Sequence, residues 1–178
     1  VLTAAVVVTI LMTPSLLQKL VQLDPKTSLE ANSVAIICVF IGSIICGALA
    51  DRFGNGLIMI IFSIGLAISY WVFYSTMLHD TTYLFPLYGL VGFFAGLVGV
   101  VPAIAVKSFP AAIRFSGLSF SYNVAYAIFG GTTPMVVSLM LSEDPLSPVY
   151  YVAFVCGVGV LAGLAVMRYR SRLDLIAY

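Results

Sequence analysis

Charge is what this chain has least of. Eight Lys and Arg and seven Asp and Glu in 178 residues amount to 8% charged, with a single His besides, against about a quarter in an ordinary soluble domain. The formal net charge of +1 points to neither a nucleic-acid partner nor an acidic one. Cysteine is also scarce. Cys38, Cys46 and Cys156 are odd in number, fall in apolar runs and form no CxxC pair. They give no disulfide framework and read as small apolar packing residues. There is no metal-ligating cluster, no phosphate-binding glycine loop, no low-complexity tract and no basic n-region of a signal peptide; no cofactor is expected. Val1 opens inside a hydrophobic run without an initiator Met, which implies a chain that begins partway through a larger protein.

What remains is apolar. Hydrophobic residues make up 62% of the chain, and the mean hydropathy is +1.13. Six charge-free runs, Val1 to Gln18, Ser33 to Ala50, Leu57 to Leu78, Thr81 to Val106, Phe115 to Ser142 and Pro145 to Met167, approach or exceed the roughly 20 residues a spanning helix needs. Barrel strands would be half as long and alternate in polarity. The expected fold is one all-α integral membrane domain over residues 1–178, with spans at about 1–22, 31–50, 56–78, 82–106, 114–141 and 148–168.

Orientation follows from the basic residues of the short loops. With the turn at Asp51 on the cytoplasmic side, Arg52, Lys107, Arg114, Arg168, Arg170 and Arg172 fall inside, and Lys19 and Lys26 outside. Both termini are then cytoplasmic. Trp71, Tyr74, Tyr83, Tyr150 and Tyr151 gather toward the outer ends, as an interfacial aromatic belt does.

Two spans carry helix breakers. Pro14 in Met12-Thr13-Pro14-Ser15 predicts a kink in the first, and Gly130-Gly131-Thr132-Thr133-Pro134 interrupts the fifth; at membrane depth such breaks are tolerated only against protein or a water-filled cavity. Ser119, Tyr122, Tyr126, Gly130 and Thr133 recur on one face of the fifth helix with Asn123 beside them, serving interhelical hydrogen bonds or substrate contact equally. Asn123 is expected to make a buried hydrogen bond. Gly89, Gly92, Gly96 and Gly99 mark a packing groove on the fourth helix, and Ser28 with Asn32 offers caps for the second.

No ionisable residue lies well inside a span, so this chain has no evident proton carrier of its own. An intramembrane serine protease would need a base beside Ser119. The one histidine, His79, falls in an external loop, and an enzyme is not expected.

The stretch Gly47-Ala48-Leu49-Ala50-Asp51-Arg52-Phe53-Gly54 puts an acid at the carboxyl end of a helix, the negative end of its dipole. Some group must compensate Asp51. Gly47, Leu49, Asp51, Arg52 and Gly54 resemble the G-x-L-x-D-R-x-G signature of the major facilitator superfamily, with Asn55 and Gly56 where basic residues usually follow. Phe109-Pro110, Arg114, Gly117, Tyr122-Asn123 and Gly130 to Pro134, together with Thr13-Pro14-Ser15, are similar to the metabolite:proton symporters of that superfamily, which include proline and glycine-betaine transporters.

The resemblance implies the carboxyl-terminal half, helices seven to twelve, of a twelve-helix carrier, built of two three-helix inverted repeats in a bacterial inner membrane. It implies an amino-terminal six-helix half as partner, with the lipid bilayer, a small-molecule substrate and protons. Thr9, Met12, Thr13, Tyr88, Phe93 and Phe94 become cavity candidates, and Tyr122, Asn123 and Tyr126 interface or substrate candidates. Gly47, Leu49, Asp51, Arg52, Gly54 and Arg114 become the gating motif, and Gly130, Gly131 and Pro134 the helix break. The expected function is half of an alternating-access transporter for a small polar or zwitterionic metabolite, with the coupling acid in the other half. The alternative is a six-helix assembly module that self-associates without transport.

Overall fold

The computed structural model describes residues 2–107 and 109–176, and the side chains of these except 107 and 169–176. Lys107, Arg170 and Arg172, counted among the inner cations, have side chains outside the described set. Six helices are long and apolar enough to cross a membrane: α1 (Leu2–Leu20), α2 (Pro25–Phe53), α3 (Asn55–Met77), α4 (Leu84–Val106), α5 (Ala111–Leu141) and α6, which spans over Ser147–Arg168 and continues to Ile176. No strand occurs among the described residues. The chain is an all-helical integral membrane protein.

Local chemistry sets the helix ends. α2 starts at Pro25, ahead of the anticipated position, because Asp24 rather than Ser28 or Asn32 caps it: its carboxylate accepts from the backbone N–H groups of Lys26 and Thr27 at 3.0 and 3.4 Å. Proline at the first helical position loses no needed donor. Ser28 instead donates to the Pro14 carbonyl at 3.0 Å and ties α2 to α1. Gly54, at φ 98°, ends α2 in a conformation that side-chain-bearing residues rarely adopt. Its N–H closes on Ala50 O at 2.9 Å, and α3 begins at the next residue.

α2 packs along α4, α3 along α6, and α5 against α1. Exchanging α1 with α4, α2 with α5 and α3 with α6 maps this pairing onto itself, the relation two three-helix repeats would have. The α2–α4 contact is backbone on backbone. A methyl group on Gly92 would run into the Ala35 carbonyl, one on Gly42 into the Phe93 carbonyl, and one on Gly99 would stand 2.8 Å from Ser43 O. In lipid, where no hydrophobic force draws helices together, such approach supplies the van der Waals contact that holds them.

α5 is the least embedded helix; Phe115 and Phe120 are 84% and 72% exposed. Tyr74, anticipated in the outer aromatic belt, is instead buried with Tyr70, Phe73 and Tyr88. Its ring packs 5.7 Å from that of Tyr70. Trp71, Tyr83 and Tyr150 are exposed.

Candidate functional site

The Pro14 break takes the form of a π-helical segment, Val7–Met12. Proline has no N–H to offer, and the lost bond is absorbed by widening the turn: the Thr13 N–H reaches back five residues to Val8 O. The Thr13 hydroxyl donates to the same oxygen at 2.9 Å and lies 3.3 Å from the Tyr70 hydroxyl. Thr9 donates to Ala5 O at 2.8 Å. The Tyr88 hydroxyl lies 3.0 Å from Thr9 O and 2.8 Å from Asn32 Oδ1, one proton facing two acceptors. A polar network thus joins α1, α2, α3 and α4 around the break.

α5 repeats the device. A π-helical segment over Tyr126–Gly130 precedes Thr133-Pro134, and the Thr133 hydroxyl meets the Tyr151 hydroxyl of α6 at 2.8 Å. The two breaks adjoin, with Leu2–Val6 beside Tyr126–Gly130 and Val7–Met12 beside Gly131–Leu141. Each proline therefore follows a threonine whose hydroxyl is bonded to a tyrosine on a neighbouring helix. A methyl on Gly130 or Gly131 would meet nothing within 4 Å, so packing does not demand glycine at either position.

Below these breaks, toward the Asp51 end, lies a cavity of about 320 Å³ lined by α1, α3, α4, α5 and α6. Tyr122 and Tyr126 form one wall, their rings stacked at 5.3 Å with 25° between planes. Leu118, Met59, Val101 and Val158 make much of the rest, and Thr3 and Ser121 supply hydroxyls.

The anticipated substrate residues divide between separate places. Thr9, Thr13 and Tyr88 are fully buried within the bundle, and Met12 is partly buried against the same core. Phe93 and Phe94 pack with Phe62 of α3, with ring centroids 5.4 to 5.7 Å apart. Tyr122 and Tyr126 reach the cavity. Asn123 is exposed, and its amide donates to Ser119 O of its own helix at 2.8 Å instead of making the expected buried bond.

At the α2–α3 turn, Asp51 and Arg52 are exposed, and Arg52 lies 5.4 Å from the centroid of Phe53. Leu49 is partly buried against a smaller core of Cys46, Ala50, Phe62 and Leu97. A methyl on Gly47 would meet open space. Arg114 does not pair with Asp51; its Nε donates to Phe109 O at 3.3 Å and pins the α4–α5 loop. Lys26 and Glu30, 3.9 Å apart, form the one ion pair among the described residues.

Asn32 and Tyr70 escaped the sequence reading. Asn32 sits a helical turn after Ser28 and resembled a cap, and Tyr70 lies in an apolar run where a hydroxyl carries no pattern. The signal for both was latent in Pro14, whose missing donor requires nearby polar groups.

A protein of Staphylococcus aureus (strain COL), named as a proline/betaine transporter, is 31% identical over 157 residues, covering 83% of this chain. A citrate-proton symporter of Klebsiella pneumoniae is 28% identical over 155 residues, covering 84%. This chain is a relative of membrane transporters. The ectoine/proline transporter ProP of Corynebacterium glutamicum shares 37% identity over 75 residues, 40% of the chain and 14% of that protein. The chain spans about one third of the length of the first two, 33% and 35%. The resemblance to the major facilitator superfamily stands with these relatives, which are transporters and symporters and not enzymes. No protein-family model matches the chain, and no solved structure does.

Proposed function

We propose that this chain forms six helices of a secondary carrier that works by alternating access, moving a small polar or zwitterionic solute. The observation that carries the reading is the side-by-side placement of two Thr-Pro breaks, each behind a π-helical turn, above a cavity between the helices. A break at one level in two adjacent helices lets their halves move without tearing the bundle. Relatives named for proline, betaine, ectoine and citrate support small solutes as cargo.

The missing partner is the amino-terminal six-helix half, and Asp51 docks against it. The open space over Gly47 and the exposure of Asp51 support that contact. The positive end of a helix in the opposite half would compensate the acid. Proton coupling resides in that half, since no carboxylate lies well inside the spans described here: Glu30 and Asp51 sit toward the two ends of α2. The positive-inside count puts both termini on the cytoplasmic face of a bacterial inner membrane.

The test is uptake of radiolabelled proline, glycine betaine and citrate by proteoliposomes holding the complete carrier, with an imposed pH gradient. Gradient-driven accumulation of one of them is expected; none with any of the three refutes the reading. Self-association is the competing reading, favoured by the exposed apolar side chains of α5 such as Phe115 and Phe120. Single cysteines at Tyr122 and Asp51 that crosslink copy to copy in membranes would support it, and none is expected.

A further inference from the structure

Pro14 leaves one carbonyl of α1 to be served from outside the helix. In the π-helical segment the Thr13 N–H closes on Val8 O, five residues back. The next rung would run from residue 14 to Thr9 O, and proline has no N–H to make it. The hydroxyls on α1 itself are committed elsewhere, Thr9 to Ala5 O and Thr13 to Val8 O. Tyr88 of α4, 79 positions away, donates to Thr9 O at 3.0 Å. A phenol on one helix thus completes the backbone ladder of another.

The same hydroxyl lies 2.8 Å from Asn32 Oδ1 of α2. A phenol carries one proton, so the two acceptors compete for it. They are not equally placed. Asn32 is half-buried and its amide can turn to another partner, whereas Thr9 is sealed in the core and its carbonyl cannot go unpaired without cost. With the proton on Asn32, the donor left for Thr9 O is the Thr13 N–H, four residues on, which is the α-helical rung. Val8 O then takes the Met12 N–H in the same register. The residue in excess moves toward the amino end of α1, and each residue it passes turns about the helix axis by roughly 100°. Thr3, which lines the cavity, is on that path.

We propose that Tyr88 is the positioning residue that sets the register of α1: its proton on Thr9 O holds the π-helical form, and its transfer to Asn32 releases the α-helical one. The inference rests on the carrier reading above and deepens it, since it assigns the movement of the first break to one hydrogen bond. Tyr88 acts through the Thr9 carbonyl, and Asn32 acts through Tyr88. The two side chains therefore pull the register in opposite directions. Pro14 is what gives them that hold, because any other residue there would bring its own N–H.

The experiment is fluorine NMR of the complete carrier, made cysteine-free and carrying a trifluoroethylthio label on Thr3→Cys, in lipid nanodiscs. The two registers give separate resonances, and their ratio is the readout. Tyr88→Phe takes the donor from Thr9 O and is expected to shift the ratio about 3- to 10-fold toward one of them, the worth of one hydrogen bond. Asn32→Leu removes the competitor and shifts it by a similar factor toward the other. The double variant matches Tyr88→Phe alone. Beside Pro14→Ala, which restores an N–H, Tyr88→Phe has no effect; a mere packing defect would persist. A ratio unmoved in either single variant, shifts in the same direction, or an undiminished Tyr88→Phe effect beside Pro14→Ala overturns the inference. In proteoliposomes both single variants are expected to slow gradient-driven uptake of radiolabelled proline, glycine betaine or citrate, with equilibrium binding within a few-fold of wild type. Uptake at the wild-type rate in both overturns the role in transport and leaves the carrier reading standing. A wild type that accumulates none of the three removes the carrier reading, and the resonance ratios then decide the register exchange by themselves.

Discussion

Thr13 and Tyr70, 57 positions apart in sequence, meet hydroxyl to hydroxyl at 3.3 Å in the bundle core. The Thr13 proton is committed to Val8 O, so Tyr70 is the donor between them. This direction makes the two single variants unequal. Thr13→Val strands a buried donor on Tyr70, costing about 1–3 kcal/mol, and Tyr70→Phe strands none. Val8 O keeps the Thr13 backbone N–H in either case. Unfolding in detergent is expected to show the larger loss for Thr13→Val, with a coupling near 0.6 kcal/mol, as is usual for hydrogen bonds in membrane bundles. Equal losses would place the proton the other way.

Glycines of α4 and α6 should separate by what faces them. Gly92→Ala drives a methyl into the Ala35 carbonyl, and since both sides are helix backbone neither can yield. A loss of about 1–3 kcal/mol or more is expected. Gly157→Ala in α6 meets nothing within 4 Å and should gain about 0.5–1 kcal/mol through helix propensity. Thermal midpoints of the two proteins, purified in parallel, check the opposite signs.

Hydropathy and the α2–α3 turn made the six helices and their order legible, because in a bilayer every span must be long and apolar. The interior of the bundle was less legible for the same reason. Apolar residues cover nearly all faces of every span, so no stripe says which side meets protein, and Tyr74 and Asn123 were each placed on the wrong side. α2 began early because a proline read as a loop residue in fact opens the helix behind Asp24. Glycine was the exception. The α4 row declared its packing in sequence, since close approach is the main reason to keep four glycines on one face.

The α3–α4 loop holds a small electrostatic test. The Thr82 hydroxyl and N–H both donate to Asp80, at 2.6 and 2.8 Å, and hold its carboxyl below the ordinary 3.8. A depressed folded value means that the loop contact stabilises above the unfolded pKa and fades as pH falls through the folded one. Thr82→Val removes the hydroxyl bond, the larger cause, and keeps the N–H. An NMR titration should show the Asp80 midpoint rise part of the way back; no change would assign the shift elsewhere.

The break in α5 predicts stability and turnover moving in opposite directions. Gly131→Ala adds a methyl in open space and about 1 kcal/mol of helix preference, which stiffens the segment behind Pro134. In the complete carrier, a higher thermal midpoint with slower uptake and unchanged equilibrium binding is expected. Uptake at the wild-type rate would show that α5 does not bend there during transport.

Asp51 is the sharper case, because its helix dislikes it. It lies three residues before Gly54, where the last carbonyls of α2 point, and no ion pair or hydrogen bond relieves it among the described residues. Asp51→Asn therefore removes a repulsion of about 0.3–1 kcal/mol from this bundle taken alone. If the acid serves only this half, the variant should be as stable as wild type or more so, and equally active. If it is held by the opposite half, the variant loses a contact made in one conformation and not the other, and the balance between them shifts. Slower uptake with no loss of stability, and solute affinity within a few-fold of wild type, is the expected pattern. A large loss of affinity in the inward-open state would instead make Asp51 part of the binding site.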